Sequence, residues 1–123
     1  MLGDTLTVTY DGSGGTAVVT SKINQDAYSA NYLKKDTLFE TRVTVKHIKE
    51  TVKAGTQAFD RHTVTFEQFV YPTEAKPLGV LRSASLTIRN DPSDTEASVT
   101  DLGEALTYWA TDVNLAKLFG WES

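Results

Sequence analysis

Three segments in the middle of the chain alternate between apolar and polar positions. In residues 41–48, Val43, Val45 and His47 point one way while Thr44, Lys46 and Ile48 point the other. In residues 61–70, Val64 and Phe66 oppose Thr63, Thr65 and Glu67, and in residues 81–89, Ala84, Leu86 and Ile88 oppose Ser83, Ser85, Thr87 and Arg89. Successive side chains of a strand point to opposite faces, so each segment predicts a strand with one apolar and one hydroxyl-rich face. Three such strands in succession predict an antiparallel sheet covered on one side only.

Upstream, Leu6-Thr7-Val8-Thr9-Tyr10 and Ala17-Val18-Val19-Thr20 flank Asp11-Gly12-Ser13-Gly14-Gly15. Glycines tolerate positive φ, so residues 1–20 read as a hairpin. A further strand is expected near residues 27–33, around Tyr28 and Tyr32, which makes 27–89 the main antiparallel sheet. Residues 49–60 read as a loop, and Pro72 and Pro77 bracket another connection, since proline cannot serve a central ladder. The pattern then changes to helix over 93–119. Ser93 followed by Glu96 suggests a capping box, and Val99, Leu102, Leu106 and Trp109 follow at helical spacing. Gly103 inside that run suggests close packing against a neighbour. Thr111-Asp112 starts a second helix carrying Val113, Leu115, Leu118 and Phe119, and Gly120 suits its end.

The fold class is therefore α+β: an antiparallel sheet with an N-terminal hairpin and two C-terminal helices on one face. At 123 residues, 1–123 reads as a single domain. Charge follows the same division. Of the 12 Lys/Arg, only Lys117 lies after Ile88-Arg89, whereas seven of the 16 Asp/Glu do. A slightly basic sheet and an acidic helical tail are hidden inside a net charge of −4. Lys34, Lys35, Arg42, Lys46, Lys49 and Lys53 concentrate positive charge over residues 34–53.

Zero cysteines remove disulfides, thiolate metal sites and cysteine nucleophiles from consideration. No stretch of about 18 apolar residues predicts a membrane span, and Met1-Leu2-Gly3-Asp4 lacks the regions of a signal peptide, so an intracellular origin is expected. Gly12-Ser13-Gly14-Gly15 lacks the Gly-Lys-Ser/Thr ending of a phosphate loop, and no helix pattern follows it. His47, on the apolar side of its strand, reads as a buried or interfacial structural residue, and two histidines are few for a metal centre. Asp60, His62 and the serines lack a nucleophile elbow, so no catalytic residues, metal or cofactor are assigned and no enzyme is expected. Trp109 reads as core, and Trp121 as packing on another subunit. Lysine contacts phosphate and hydroxyls bond base edges, so the Thr/Ser/Lys face is a candidate RNA surface.

In order and length, the chain resembles the coat proteins of the small single-stranded RNA bacteriophages, the levivirus family. The residues that carry the resemblance are Leu6-Thr7-Val8-Thr9-Tyr10 with Asp11-Gly12-Ser13-Gly14-Gly15-Thr16, Arg42-Val43-Thr44-Val45, Arg61-His62-Thr63-Val64-Thr65-Phe66, Ala84-Ser85-Leu86-Thr87-Ile88 and the helical end. The resemblance implies an intertwined homodimer with one continuous sheet and crossed helices. It also implies assembly of such dimers into an icosahedral shell, with the open sheet face turned to the RNA genome. In many members that face also binds a genomic hairpin and represses replicase translation. The location implied is the virion, assembled in the bacterial host cytoplasm.

On this sequence the implied RNA-binding positions are Thr44, Lys46, Thr63, Thr65, Ser83 and Ser85. Lys46 stands where a small hydroxyl residue is often found and Thr65 where a lysine is often found. Leu81 stands at the place of a base-stacking tyrosine, and leucine cannot stack a base in the same way. By position, the connection 71–79 would line the shell's symmetry axes. A rival from another class is a cellular RNA-binding module that forms no shell.

Overall fold

The computed structural model describes residues 3–12, 14–50 and 58–122. Among the described residues six strands follow one another: β1 (Thr5–Tyr10), β2 (Thr16–Gln25), β3 (Ser29–Lys35), β4 (Phe39–Glu50), β5 (Phe59–Val70) and β6 (Val80–Asn90). Each pairs antiparallel with the next, in the spatial order β1-β2-β3-β4-β5-β6. Two helices close the chain, α1 (Glu96–Trp109) and α2 (Asp112–Phe119). β2, β4 and β5 are longer than the alternation alone marks. Ladder pairing continues past the last clean apolar position, as in Lys49↔Asp60 and Glu50↔Phe59. The expected loop over 49–60 is correspondingly trimmed, and its residues 51–57 lie outside the described residues.

The sheet is curled. In a flat sheet β1 would lie about 14 Å from β4, three strand spacings away. Instead, the Tyr10 hydroxyl meets the Thr41 hydroxyl at 2.7 Å, and the Tyr32 hydroxyl donates to the Gly3 carbonyl oxygen at 2.9 Å. The register between β2 and β3 shifts between Lys22 and Asn24, and such an irregularity bends a strand and increases its twist. The hairpin thereby folds over the apolar side of β3 and β4. Val8, Tyr32, Val43 and Val45 become the buried core, with Leu6, Tyr10, Ala30 and Val64 packed around them. Thr20 and Thr41, also fully buried there, place hydroxyls on the Leu6 carbonyl and on Tyr10.

This cover stops halfway. On the same side of the sheet, Phe66 of β5 remains 38% exposed, and no helix residue is buried. Leu106 and Trp109 of α1, and Leu115 and Leu118 of α2, keep about half their surface open. Trp109 is thus not a core residue of this chain. Gly103 is not pressed against a neighbour either, since a Cβ there would stand 3.5 Å from Ile88 Cδ1, an ordinary contact.

The helix start also differs from the expected capping box. α1 begins two residues later, with Thr95 as N-cap. Ser93 is held instead by Asp91, whose Oδ1 accepts from the Ser93 amide at 2.8 Å and from its hydroxyl at 2.6 Å. An Asx turn has won the competition for the serine hydroxyl. α2 starts as expected, with the Thr111 hydroxyl accepting from the Asn114 amide.

Two turns depend on glycine. A Cβ on Gly15 would collide with the Tyr10 carbonyl oxygen, and one on Gly79, at φ +75°, would lie 2.7 Å from the Val70 carbonyl oxygen. Gly15→Ala and Gly79→Ala should each destabilise the disassembled protein by roughly 1–3 kcal/mol, because the ladder must shift to admit the methyl group. Urea unfolding followed by circular dichroism checks this; unchanged midpoints would mean that neither turn constrains the sheet.

Candidate nucleic-acid interface

Register turns the separate alternations into a surface. One cross-strand row reads Asn31–Thr44–Thr65–Ser85, and the next reads Ser29–Lys46–Thr63–Thr87. Directly opposed residues have Cβ atoms about 5 Å apart, so each row forms a continuous strip of polar side chains. Hydrogen bonds run along the first row: the Thr44 hydroxyl donates to Asn31 Oδ1 at 3.2 Å, and the Thr65 and Ser85 hydroxyls meet at 3.1 Å. Thr44, Lys46, Thr63, Thr65 and Ser85 therefore share one patch. Ser83 lies one row further on, opposite Glu67 and in line with Arg42.

The positive charge on this face differs from the expected concentration over 34–53. Alternation puts Lys34 and Lys49 on the opposite side, beside Thr41 and Asp60. Lys53 lies outside the described residues. Arg42 is tied to the nearly buried Glu40 at 3.2 Å. Lys46 is exposed and makes no ion pair with a described residue.

Two arginines enlarge the patch from the other end. Arg61 and Arg89 face each other in the ladder, one row beyond Thr63 and Thr87. Arg89 forks Glu50 through Nε and Nη2, at 2.9–3.1 Å, and its guanidinium carbon sits 3.8 Å from the centroid of the Phe59 ring. The Arg89 hydrogen bonds hold the Glu50 carboxyl below the usual carboxylate range, and Glu50 in turn raises the arginine. The alternation of residues 81–89 already put Arg89 on the polar face. Its contacts with Glu50 and Phe59 need the register of three strands, which no local pattern supplies.

At the β2–β3 turn, Asp26 is also held below the carboxylate range, first by the Tyr28 amide and then by Ser29. Lys46 adds a smaller favourable charge.

The histidines occupy the other side of the sheet. His47 is exposed within this chain rather than buried, and its Nδ1 lies 2.8 Å from Nδ1 of His62, directly across the ladder. One ring must donate and the other accept. The hydroxyl rows face away from this pair, so the structure does not bring His62 to the serines and threonines as a triad would need. No three His, Asp or Glu side chains cluster as metal ligands among the described residues. No helix there is long and apolar enough to cross a membrane.

The whole arrangement is similar to known phage coat structures. The bacteriophage EMS014 coat protein superposes with a TM-score of 0.66 at 17% identity, over 87% of this chain and 72% of that one. An unassembled virus coat protein dimer, described as a bacteriophage RNA-binding dimer, gives a TM-score of 0.51 at 14% identity, over 97% and 94% of the two chains. No curated protein sequence matches this chain. The family described as the coat protein of phage phiCb5 matches residues 3–91, from before β1 to just past the end of β6, and this chain belongs to that family.

Proposed function

We propose that this protein is the dimeric subunit of an RNA-phage shell and that it holds single-stranded genomic RNA on its hydroxyl-rich sheet face. The observation that carries the reading is the incompletely covered apolar side of β5 and β6, where Phe66 is exposed and Leu86 and Ile88 are half-buried, beside two helices with no buried residue. Apolar surface of this extent marks an interaction site. β6 also has a free edge along its 11 residues, because among the described residues only β5 pairs with it. A second copy answers both needs: the two β6 edges join the sheets, and each pair of helices covers the partner's open side. A two-fold interface of this kind buries the same patch on both chains.

The helices lie on the Val43 side of the sheet, so dimerisation leaves the Thr/Ser/Lys face free. Lys46 supplies charge to phosphate, and the hydroxyls of Thr44, Thr63, Thr65, Ser83 and Ser85 supply hydrogen bonds to sugar and base edges. Binding of a genomic hairpin, with repression of translation, would use the same face. In this reading the protein is a virion component that assembles in the host cytoplasm and performs no catalysis. The cellular RNA-binding module makes the opposite forecast for assembly, since it needs no second copy.

Expressed protein should sediment as RNA-containing particles, visible by negative-stain microscopy. A monomer that stays RNA-free at micromolar concentration would overturn the reading. Leu106→Glu with Leu118→Glu should abolish dimers and particles, although both side chains are about half exposed in the single chain; unchanged sedimentation would show that no partner covers them.

Lys46→Ala with Thr63→Ala should leave dimers intact and weaken RNA retention. Loss of one phosphate contact should lower the slope of log affinity against log salt by about 0.7. Retention and slope equal to those of the parent protein would remove these residues from the interface.

A further inference from the structure

We infer that Phe59, Arg89 and Glu50 form a stacking subsite for an unpaired purine base of RNA, with Arg61 taking the adjoining phosphate. The inference rests on the proposed RNA-binding face and locates a base contact at its β4–β6 end. The Phe59 ring covers one side of the Arg89 guanidinium at 3.8 Å, and Glu50 fixes its edge through Nε and Nη2. The side chain is nonetheless 51% exposed. Nη1 has no described hydrogen-bond partner. A planar cation held against an aromatic ring and along one edge, in a side chain that is about half exposed, can offer the rest of its plane to a stacked base.

An exposed ion pair adds little to stability, so the clasp is a weak explanation for this degree of order. A pre-oriented guanidinium lowers the entropy lost when a base stacks on it. Purines, with the larger π-surface, gain most from such a platform.

The surroundings favour this end of the sheet over the other. Arg61 is exposed, opposes Arg89 in the ladder and makes no ion pair with a described residue. Its row lies about 6.8 Å from the row of Lys46, Thr63 and Thr87, one pleat repeat along the strands. A second aromatic group on the polar face, Phe69, shares its hollow with Leu81, Arg42 and the acids Glu40 and Glu67. Those carboxylates disfavour a phosphate there. At the Phe59 end, Asp91 and Asp94 border the groove where α1 begins, which leaves the Arg61 side for the RNA backbone.

The test is fluorescence anisotropy of the dimeric full-length protein with labelled 12-nucleotide oligo(A) and oligo(U), at several salt concentrations. The parent protein should prefer oligo(A) several-fold. Arg89→Lys keeps the charge and loses the plane; it should weaken oligo(A) binding roughly tenfold and erase the preference while leaving the salt slope unchanged. Phe59→Leu should do the same and serves as the second variant if Arg89→Lys unfolds, as judged by circular dichroism. Equal binding of both oligonucleotides by the parent, or parent-like binding by a folded variant, overturns the subsite. If the parent binds neither oligonucleotide, the RNA-binding face itself fails. If Lys46→Ala weakens binding and Arg89→Lys does not, only the subsite fails.

Discussion

The structure depends on one constraint: a sheet whose apolar side is wider than one chain can cover. Period-two alternation commits Val43, Val45, Val64, Phe66, Ala84, Leu86 and Ile88 to the same side. The N-terminal hairpin can curl over only half of that area, and Val8 is the apex of its contact with Tyr32, Val43 and Val45. The helices do not complete the cover within the chain. α1 meets β6 near Ile88, and Leu115 of α2 shares a hollow with Tyr10, Phe66 and Ala84. Their remaining apolar surface stays open, and the width of the sheet is what supports the proposed partner.

The parts of the fold legible in the sequence are those set by side-chain period. The two faces of β4, β5 and β6 could be assigned residue by residue, and their ladders place Thr44 opposite Thr65 and Lys46 opposite Thr63 without a slip. Features decided by local competition or by register were less legible. Ser93 looked like a cap because its spacing to Glu96 fits, but Asp91 binds its hydroxyl first. The run of lysines over 34–53 looked like one patch because sequence proximity ignores alternation, which sends Lys34 and Lys49 to the other side. Glu40, nearly buried beside Arg42, neutralises one of those charges, which the sequence alone does not reveal. Conversely, Arg61 and Arg89 come next to each other only across strands, 28 positions apart in the chain.

The two faces carry different chemistry and can be tuned separately. Under the proposed function, apolar packing decides whether the chain finds a partner, while hydroxyl and cationic groups on the opposite side decide what that pair holds. Substitutions at Thr63 and Leu106 therefore act on different equilibria, although β5 and α1 belong to the same layered unit. The charge division follows the same separation. Helices with acids on their exposed surface lie on the side away from Lys46 and Arg61, so a net charge of −4 does not describe the field at the sheet face.

The Arg89–Glu50 contact links this face to pH in one direction. Glu50 has a folded-state pKa below its ordinary value of 4.5, so its favourable interaction is fully present above that value and fades as pH falls through the lower folded value. Arg89 stays charged throughout. Across neutral pH the guanidinium is therefore both charged and held in plane over Phe59, and only acid releases it. Releasing it would not remove positive charge from the sheet. It would convert a fixed arginine into a mobile one, which weakens recognition that depends on orientation and strengthens contact that depends on charge alone. In the proposed subsite, order at one side chain, more than net charge, is thus what separates stacking on a base from attraction to a backbone.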